Sequence, residues 1–256
     1  MARMQVPVWS KRILRRRTPD VPSAPPGPLF DPGMVGDLPE PARRLLLRAI
    51  EPGTPLASSV DLRMRGSLVF TPGGDPVPFV AEQVLSPPVS FLWRARTTSG
   101  WARIRGFDRY GEGQGEMLWK LWGIIPVVRG IGSNVTRSAA GRLAMEGVLL
   151  PSSLLPGRGA EWSPVDESRA RFRMTVGEET VETLVEVDPE GRPLRASAMR
   201  WSERAGPSYE PFGVELSGEL RSGGYAIPSR VEAGWSLGGE GEFRFFQAEI
   251  QGATFR

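Results

Sequence analysis

The chain has 256 residues, a formal net charge of +3, and neither cysteine nor histidine. The two missing residue types exclude disulfides, zinc–thiolate sites, cysteine nucleophiles, Ser-His-Asp catalysis and histidine pH switches. Because the arginines are spread along the chain rather than gathered in one stripe, we expect no nucleic-acid partner. The 31 glycines and 25 prolines are typical of a chain with many short strands and turns.

Residues 1–36 are predicted to form a disordered, basic and proline-rich arm. Its first part, residues 1–17, combines several arginines with Trp9 and a few aliphatic side chains, which suits an anionic membrane surface. The alternative is a solvated arm without a partner. The chain shows no transmembrane-length apolar run and no secretory signal. We therefore expect a cytoplasmic protein, either free or attached peripherally to a membrane.

Residues 37–256 are predicted to form a single β-rich domain. A first helix spans Leu38–Ile50, and alternation of apolar and polar residues then indicates strands. The strands before the central helix are Val60–Phe70, Pro78–Leu85, Phe91–Arg96, Trp101–Tyr110 and Met117–Leu121. Residues Pro151–Trp162 are predicted to be a connection. The strands after it are Ala170–Val176, Val181–Val187, Leu194–Trp201, Val214–Leu220, Tyr225–Pro228, Val231–Leu237 and Phe243–Ile250.

The stretch Ser133–Leu150, between the two sets of strands, is predicted to be a buried helix. At about 100° per residue, Val135, Ala139, Leu143 and Leu150 share one face, and other apolar residues cover much of the remainder. A helix that is apolar around most of its circumference is buried. We therefore predict a β-rich α+β fold, in which a single strongly curled antiparallel sheet, a half-barrel, wraps around this central helix.

Two charged residues, Arg142 and Glu146, interrupt the apolar surface of that helix. One interpretation is a local ion pair at the edge of the buried stripe, and the other is a polar anchor inside a cavity. An unpaired buried charge is too costly under either interpretation. We therefore expect both side chains to be largely buried and paired.

Tryptophans on the predicted strands either line a hydrophobic cavity or belong to an ordinary sheet core. The predicted ligand-binding residues are Trp93, Trp101, Arg142, Glu146, Trp201 and Trp235. The acid–base candidates near motif-like sequence are Asp108, Glu112, Glu146 and Asp166. We assign none of them a catalytic role, because nothing in the sequence shows two facing carboxylates, and we predict neither a metal site nor a cofactor.

Several short motifs follow one another in order along the predicted domain. They are Leu38-Pro-Glu-Pro-Ala-Arg43, Val77-Pro-Phe79 with Gln83, Phe91-x-Trp93-x-Ala95, Asp108 with Gly111 and Gly113, Arg142-x-x-x-Glu146 with Pro151, Arg200-Trp201, Pro211-Phe-Gly213, and Ile227-Pro228 with Gly234-Trp235. In this order they resemble a bacterial family known only as a domain of unknown function, and the resemblance implies no activity. Separately, the layout of one helix between two meanders is similar to the curled half-barrel of periplasmic lipoprotein carriers, which is an analogy of fold.

Three functions are compatible with these patterns. The first is a non-enzymatic protein that binds a lipid or other apolar ligand inside the curled sheet, and a large apolar cavity would favour it. The second is a structural or membrane-peripheral interaction protein, favoured by a packed interior with an exposed apolar patch. The third is a hydrolase or isomerase that uses neither histidine nor cysteine, favoured by carboxylates clustered in a cleft.

Overall fold

The computed structural model describes residues 27–98, 103–204 and 206–256. Two α-helices, α1 (Glu40–Ala49) and α2 (Ser133–Met145), and fifteen strands lie in these residues. The strands are β1 Val60–Leu68, β2 Val77–Ser86, β3 Ser90–Thr97, β4 Ile104–Gly111, β5 Gln114–Leu121, β6 Ile125–Ile131, β7 Ala160–Pro164, β8 Arg169–Val176, β9 Glu179–Val187, β10 Pro193–Ser202, β11 Ser208–Ser217, β12 Leu220–Ser222, β13 Tyr225–Ile227, β14 Arg230–Trp235 and β15 Phe243–Phe255. None of the described helices is both long enough and apolar enough to cross a bilayer.

Thirteen of these strands form one curled antiparallel sheet, in the order β6-β5-β4-β3-β2-β1-β15-β14-β11-β10-β9-β8-β7. The first strand of the chain pairs with the last, from Val60 opposite Phe255 to Leu68 opposite Phe246. This pairing joins the two meanders near the middle of the sheet. The predicted half-barrel is therefore confirmed. Strands β12 and β13 lie outside this sheet and form a separate small hairpin.

One face of the sheet is buried and the other is largely exposed. Along β8, buried and exposed residues alternate without interruption, which is typical of an antiparallel sheet with one face on the core. The curl brings neighbouring backbones close together. A Cβ atom at Gly66 would lie 1.9 Å from the carbonyl oxygen of Gln247 in β15, so any larger residue in β1 would push β15 away.

Helix α2 lies against the concave face and contacts strands from both halves, namely β4, β5 and β6 on one side and β8, β9 and β10 on the other. A Cβ atom at Gly115 in β5 would lie 2.7 Å from the carbonyl oxygen of Val135. The Gly115 N–H also donates a hydrogen bond of 3.0 Å to the Thr136 hydroxyl. Leu143 and Ala144, at 0% exposure, are completely buried. The helix therefore bridges the two halves of the sheet from inside, as predicted.

The predicted helix Ser133–Leu150 is α-helical only as far as Met145, and residues Glu146–Leu149 continue as a 3₁₀-helix. Such a tightening is common in the last turn of a helix. Pro151 then begins a second 3₁₀ segment, which lies inside the predicted connection Pro151–Trp162. Of the charged pair, Arg142 therefore lies in the α-helix and Glu146 is the first residue of the 3₁₀-helix.

Two edge strands were not predicted. Strand β6 has mostly exposed residues on both faces, so it lacks the alternation by which the other strands were recognised. Strand β7 is short, ends at Pro164 and lies partly within the predicted connection. An edge strand has a neighbour on one side only and needs less apolar surface, which explains why periodicity failed at both edges of the sheet.

The folded domain begins before residue 37, contrary to the boundary predicted from the sequence. The Phe30 N–H donates a hydrogen bond of 2.8 Å to the carbonyl oxygen of Thr54. Phe30 and Val35 are 2% and 0% exposed and belong to the main core. The prediction of a disordered arm for residues 1–26 lies outside the described residues.

Deletion of residues 1–36 should destabilise the domain, because it removes Phe30 and Val35 from the core. Loss of one buried phenylalanine side chain costs about 3–5 kcal/mol, so we expect a loss of at least that size in urea titration. Deletion of residues 1–26 is the matched control and should leave the unfolding midpoint close to that of the full chain. Equal stability of the two truncated proteins would contradict this account.

Candidate functional site: an apolar cavity under the central helix

A cavity of about 580 Å³ lies between α2 and the concave face of the sheet. This volume is within the range of sites that hold one small molecule. The wall is mainly aliphatic and aromatic and comes from α2 and from strands of both halves. It includes Met64, Trp93, Met145, Phe212, Trp235 and Phe246. Such a wall suits an apolar ligand better than a polar one.

The cavity opens to solvent at one end of the sheet. Phe70, Val127 and Val128 line it and are 56%, 49% and 44% exposed. The antiparallel register places the end of β1 and the start of β6 at this same end of the sheet. The mouth of the cavity is therefore rimmed by exposed apolar side chains.

A network of polar side chains forms part of the cavity wall. Arg142 donates from Nε to Glu146 Oε1 at 2.8 Å and from Nη1 to Asp108 Oδ2 at 3.2 Å. Gln83 Nε2 donates to Glu146 Oε2 at 2.6 Å, and Trp119 Nε1 donates to Asp108 Oδ1 at 3.0 Å. Each of the four carboxylate oxygens therefore already accepts a hydrogen bond from the protein.

Burial shapes the electrostatics of this network. The side chains of Arg142, Glu146 and Asp108 are only 17%, 21% and 24% exposed. Burial raises the pKa of Asp108, and the nearby Arg142 offsets this only in part. Burial by itself would lower the pKa of Arg142, but the two carboxylates, Glu146 first, outweigh it and raise the pKa. The ion pair expected from the sequence is present, and it lies in the cavity wall.

A second arginine, Arg200 in β10, also lines the cavity. Its Nε donates a hydrogen bond of 3.0 Å to the carbonyl oxygen of Ser138 in α2. Its guanidinium carbon lies 4.7 Å from the ring centre of Phe212 and 5.6 Å from that of Trp235. Burial first, and then repulsion from Arg142, lower the pKa of Arg200 to about 10.

The structure places four of the six predicted ligand-binding residues on this cavity: Trp93, Arg142, Glu146 and Trp235. Trp201 lies in a separate groove, where the guanidinium of Arg137 is 4.8 Å from its ring centre. Trp101 lies outside the described residues. A ligand-binding role for any of these residues remains a prediction.

Other acid–base candidates lie away from the cavity. Glu112 is an exposed residue with a φ of 55° in the turn between β4 and β5. Asp166 accepts hydrogen bonds from Arg169 and Ser168, which lower its pKa to about 2. Of the four candidates, only Asp108 and Glu146 therefore come together, and both are bound by Arg142.

Five polar or partly polar wall residues were not among the predicted ligand-binding residues: Gln83, Asp108, Trp119, Ser138 and Arg200. For Gln83 and Arg200, the alternation of apolar and polar residues along their strands could have identified them. Gln83 occupies an inward-facing position in β2, between the buried residues Ala81 and Leu85. Arg200 follows Ala196 and Ala198 at every second position in β10, and both alanines pack in the core. Polar residues on the apolar face of an alternating strand are rare unless they are paired or functional.

The fold and the cavity together define a half-barrel with an internal apolar site. Among solved structures, the chain is similar to a LolA superfamily protein from Nitrosomonas europaea (11% identity, 84% of this chain and 92% of that chain, TM-score 0.47). It is also similar to a domain assigned to outer membrane lipoprotein sorting from Vibrio parahaemolyticus (9% identity, 78% and 86%, TM-score 0.45). A DUF1329 family protein from Desulfovibrio piger is a further match (12% identity, 78% and 86%, TM-score 0.41). At these identities and scores we draw no functional conclusion from the likeness.

Residues 28–248 match the family of unknown function DUF6544. Because the match covers most of the chain, the protein belongs to this family, and the resemblance inferred from the sequence motifs is confirmed. No curated protein sequence matches the chain. The site must therefore be interpreted from its own geometry.

The variants Arg142→Ala and Glu146→Ala should each lower the free energy of unfolding by about 2–4 kcal/mol. Removal of one partner from a buried ion pair costs up to about 3–5 kcal/mol, and the remaining exposure of these side chains reduces that figure. The double variant should cost less than the sum of the single variants, as a double-mutant cycle in urea would show.

The exposed pair Arg43 and Glu40 is a matched control for this cycle. Its atoms are 2.6 Å apart, but its side chains are 41% and 49% exposed. Exposed pairs contribute about 0–1 kcal/mol, so the same substitutions there should have little effect. Equal losses at the two pairs would contradict the burial of the Arg142 network.

Proposed function

We propose that this protein is a non-enzymatic binding protein that holds a lipid or another apolar ligand in the cavity between α2 and the curled sheet. The observation that supports this most strongly is the apolar cavity of about 580 Å³ with an open mouth. Protein interiors are normally close-packed. A half-barrel that leaves this much open space beside aromatic side chains is suited to enclosing another molecule.

The ligand would gain binding energy mainly by covering apolar wall. Transfer of apolar surface out of water is worth about 25 cal/mol per Å², and the wall offers Phe212, Trp235 and Phe246 close together. The carboxylates of Asp108 and Glu146 are engaged by protein donors. This arrangement supports a structural role for both carboxylates, which Arg142, Gln83 and Trp119 hold in the cavity wall.

Substitution Val231→Phe should reduce binding of an apolar ligand. Val231 lines the cavity from β14, and a larger side chain there would take up space that the ligand needs. We expect the affinity for the neutral probe hexadecanol, measured by displacement of a polarity-sensitive dye, to fall about tenfold or more, which corresponds to about 1.4 kcal/mol. Native mass spectrometry of the purified wild-type protein would show whether a lipid co-purifies.

Val84→Phe makes the same change on the outer face of the sheet, where Val84 is 45% exposed. This control should bind hexadecanol as the wild type does. Unchanged affinity in Val231→Phe, with wild-type melting behaviour, would show that the ligand does not occupy this cavity. If the wild type retains no lipid and binds neither hexadecanol nor a charged amphiphile of the same chain length, the proposed function is wrong.

A second function, contact with a membrane surface, is favoured by the hairpin formed by β5 and β6. At its turn, Trp122, Ile124 and Ile125 are 48%, 78% and 49% exposed. Lys120 and Arg129 lie on its two strands. An exposed apolar tip with cations on the strands behind it suits an anionic bilayer. The predicted membrane contact of residues 1–17 lies outside the described residues and remains a separate prediction.

This membrane function predicts that Ile124→Ser weakens binding to vesicles containing phosphatidylglycerol. Burial of one large aliphatic side chain is worth about 1.5–3 kcal/mol, so the loss in a sedimentation assay should be about tenfold or more. Val89→Ser is the matched control, because Val89 is 67% exposed in the turn at the opposite end of the sheet. Equal binding by the two variants would exclude the hairpin as the membrane contact.

A further inference from the structure

The two arginines that line the cavity differ in how their charge is balanced. Arg142 has carboxylate oxygens of Glu146 and Asp108 at 2.8 and 3.2 Å. Arg200 has no carboxylate within 4.0 Å among residues 27–98, 103–204 and 206–256. As far as the structure describes the chain, the cavity wall thus contains one guanidinium paired with two carboxylates and one guanidinium without a direct counter-ion.

The donors of Arg200 are also mostly unused. Nε is engaged by Ser138, whereas neither terminal nitrogen donates to any described residue. The stem of the side chain passes over α2 at Gly141, where a Cβ atom would come within 3.1 Å of Arg200 Cγ. The rings of Phe212 and Trp235 lie near the guanidinium. The group is therefore positioned by its surroundings, with its terminal N–H groups left for another acceptor.

A cation in this position favours an anion. Asp108 and Glu146 act on Arg200 at longer range, but their effect is smaller than that of burial and of Arg142, so the pKa of Arg200 stays lowered. At about 10 it still leaves the side chain protonated near neutral pH. Because burying a charge without a counter-ion is unfavourable, an anion that pairs with Arg200 would stabilise the site. Carboxylates and phosphates match the planar fork of a guanidinium.

We propose that the ligand of this cavity is an anionic amphiphile, whose carboxylate or phosphate pairs with Arg200 while its hydrocarbon chain lies along the apolar wall. The inference rests on the proposed function, because it requires that the cavity hold an apolar molecule. It adds the chemical class of the headgroup and the residue that selects it. The carboxylate and the phosphate alternatives share one feature, which is a single anionic group on one hydrocarbon chain.

The test compares palmitate, hexadecyl phosphate and hexadecanol, which share a chain length and differ in headgroup. The wild type should bind one or both anions at least about tenfold more tightly than the alcohol, the size expected for charge-assisted hydrogen bonds. Arg200→Gln should lose this preference while its affinity for hexadecanol stays unchanged. Arg230→Gln removes a positive charge from an exposed position in β14 and should keep the preference.

The outcomes separate this inference from the proposed function. If hexadecanol binds the wild type and neither anion has an advantage, or if the advantage survives in Arg200→Gln, the headgroup assignment is wrong and the proposed function stands. If none of the three probes binds, both are wrong. Preference for only one of the two anions identifies the headgroup as a carboxylate or as a phosphate.

A second measurement needs no variant and covers the case in which Arg200→Gln fails to fold. Palmitate labelled with carbon-13 at its carboxyl group can be titrated by NMR while bound to the wild type. Pairing with Arg200 requires that palmitate is bound as its carboxylate, although burial by itself raises the pKa of a carboxyl group. The labelled carbon should therefore have the chemical shift of an ionised carboxylate near neutral pH. The chemical shift of a protonated acid near neutral pH would overturn the pairing with Arg200.

Discussion

Helix α2 packs against both halves of the curled sheet at once, and the rest of the structure depends on this contact. Small residues make it possible, since Gly115 lets β5 approach the first turn of the helix and Gly141 lets the stem of Arg200 pass over it. A helix held at both sides of a half-barrel keeps the sheet curved. Because the helix does not fill the concave space, a cavity remains between it and the central strands.

The same helix supplies the polar part of the cavity wall. Arg142 and Glu146 lie where the α-helix changes to a 3₁₀-helix, and Asp108 and Gln83 reach them from the sheet. The hydrogen bonds of this network tie the helix to strands of the first meander. Arg200 ties it to the second meander through the carbonyl oxygen of Ser138. Both arginines thus join elements, but only Arg200 keeps its terminal N–H groups available for an acceptor outside the described residues.

The main features of the fold could be predicted from the sequence because they follow from local periodicity. Alternation along β1 and β8, and the apolar circumference of Ser133–Leu150, place a buried helix between two antiparallel meanders. The same reasoning failed at the edges. Strand β6 shows little one-sided burial, and Phe30 lies in a proline-rich stretch where no helix or strand pattern marks it as part of the core.

By itself, the sequence determined which residue types are present, which faces are apolar, and that Arg142 and Glu146 are one helical turn apart. It also excluded every chemistry that needs histidine or cysteine. Only the tertiary structure decided that Asp108 and Gln83 meet this pair, that Trp201 lies outside the cavity, and that Arg200 has no carboxylate within 4.0 Å in the described part of the chain. The physical reason is that periodicity assigns a side chain to a face, whereas strand order, register and curl determine which faces meet.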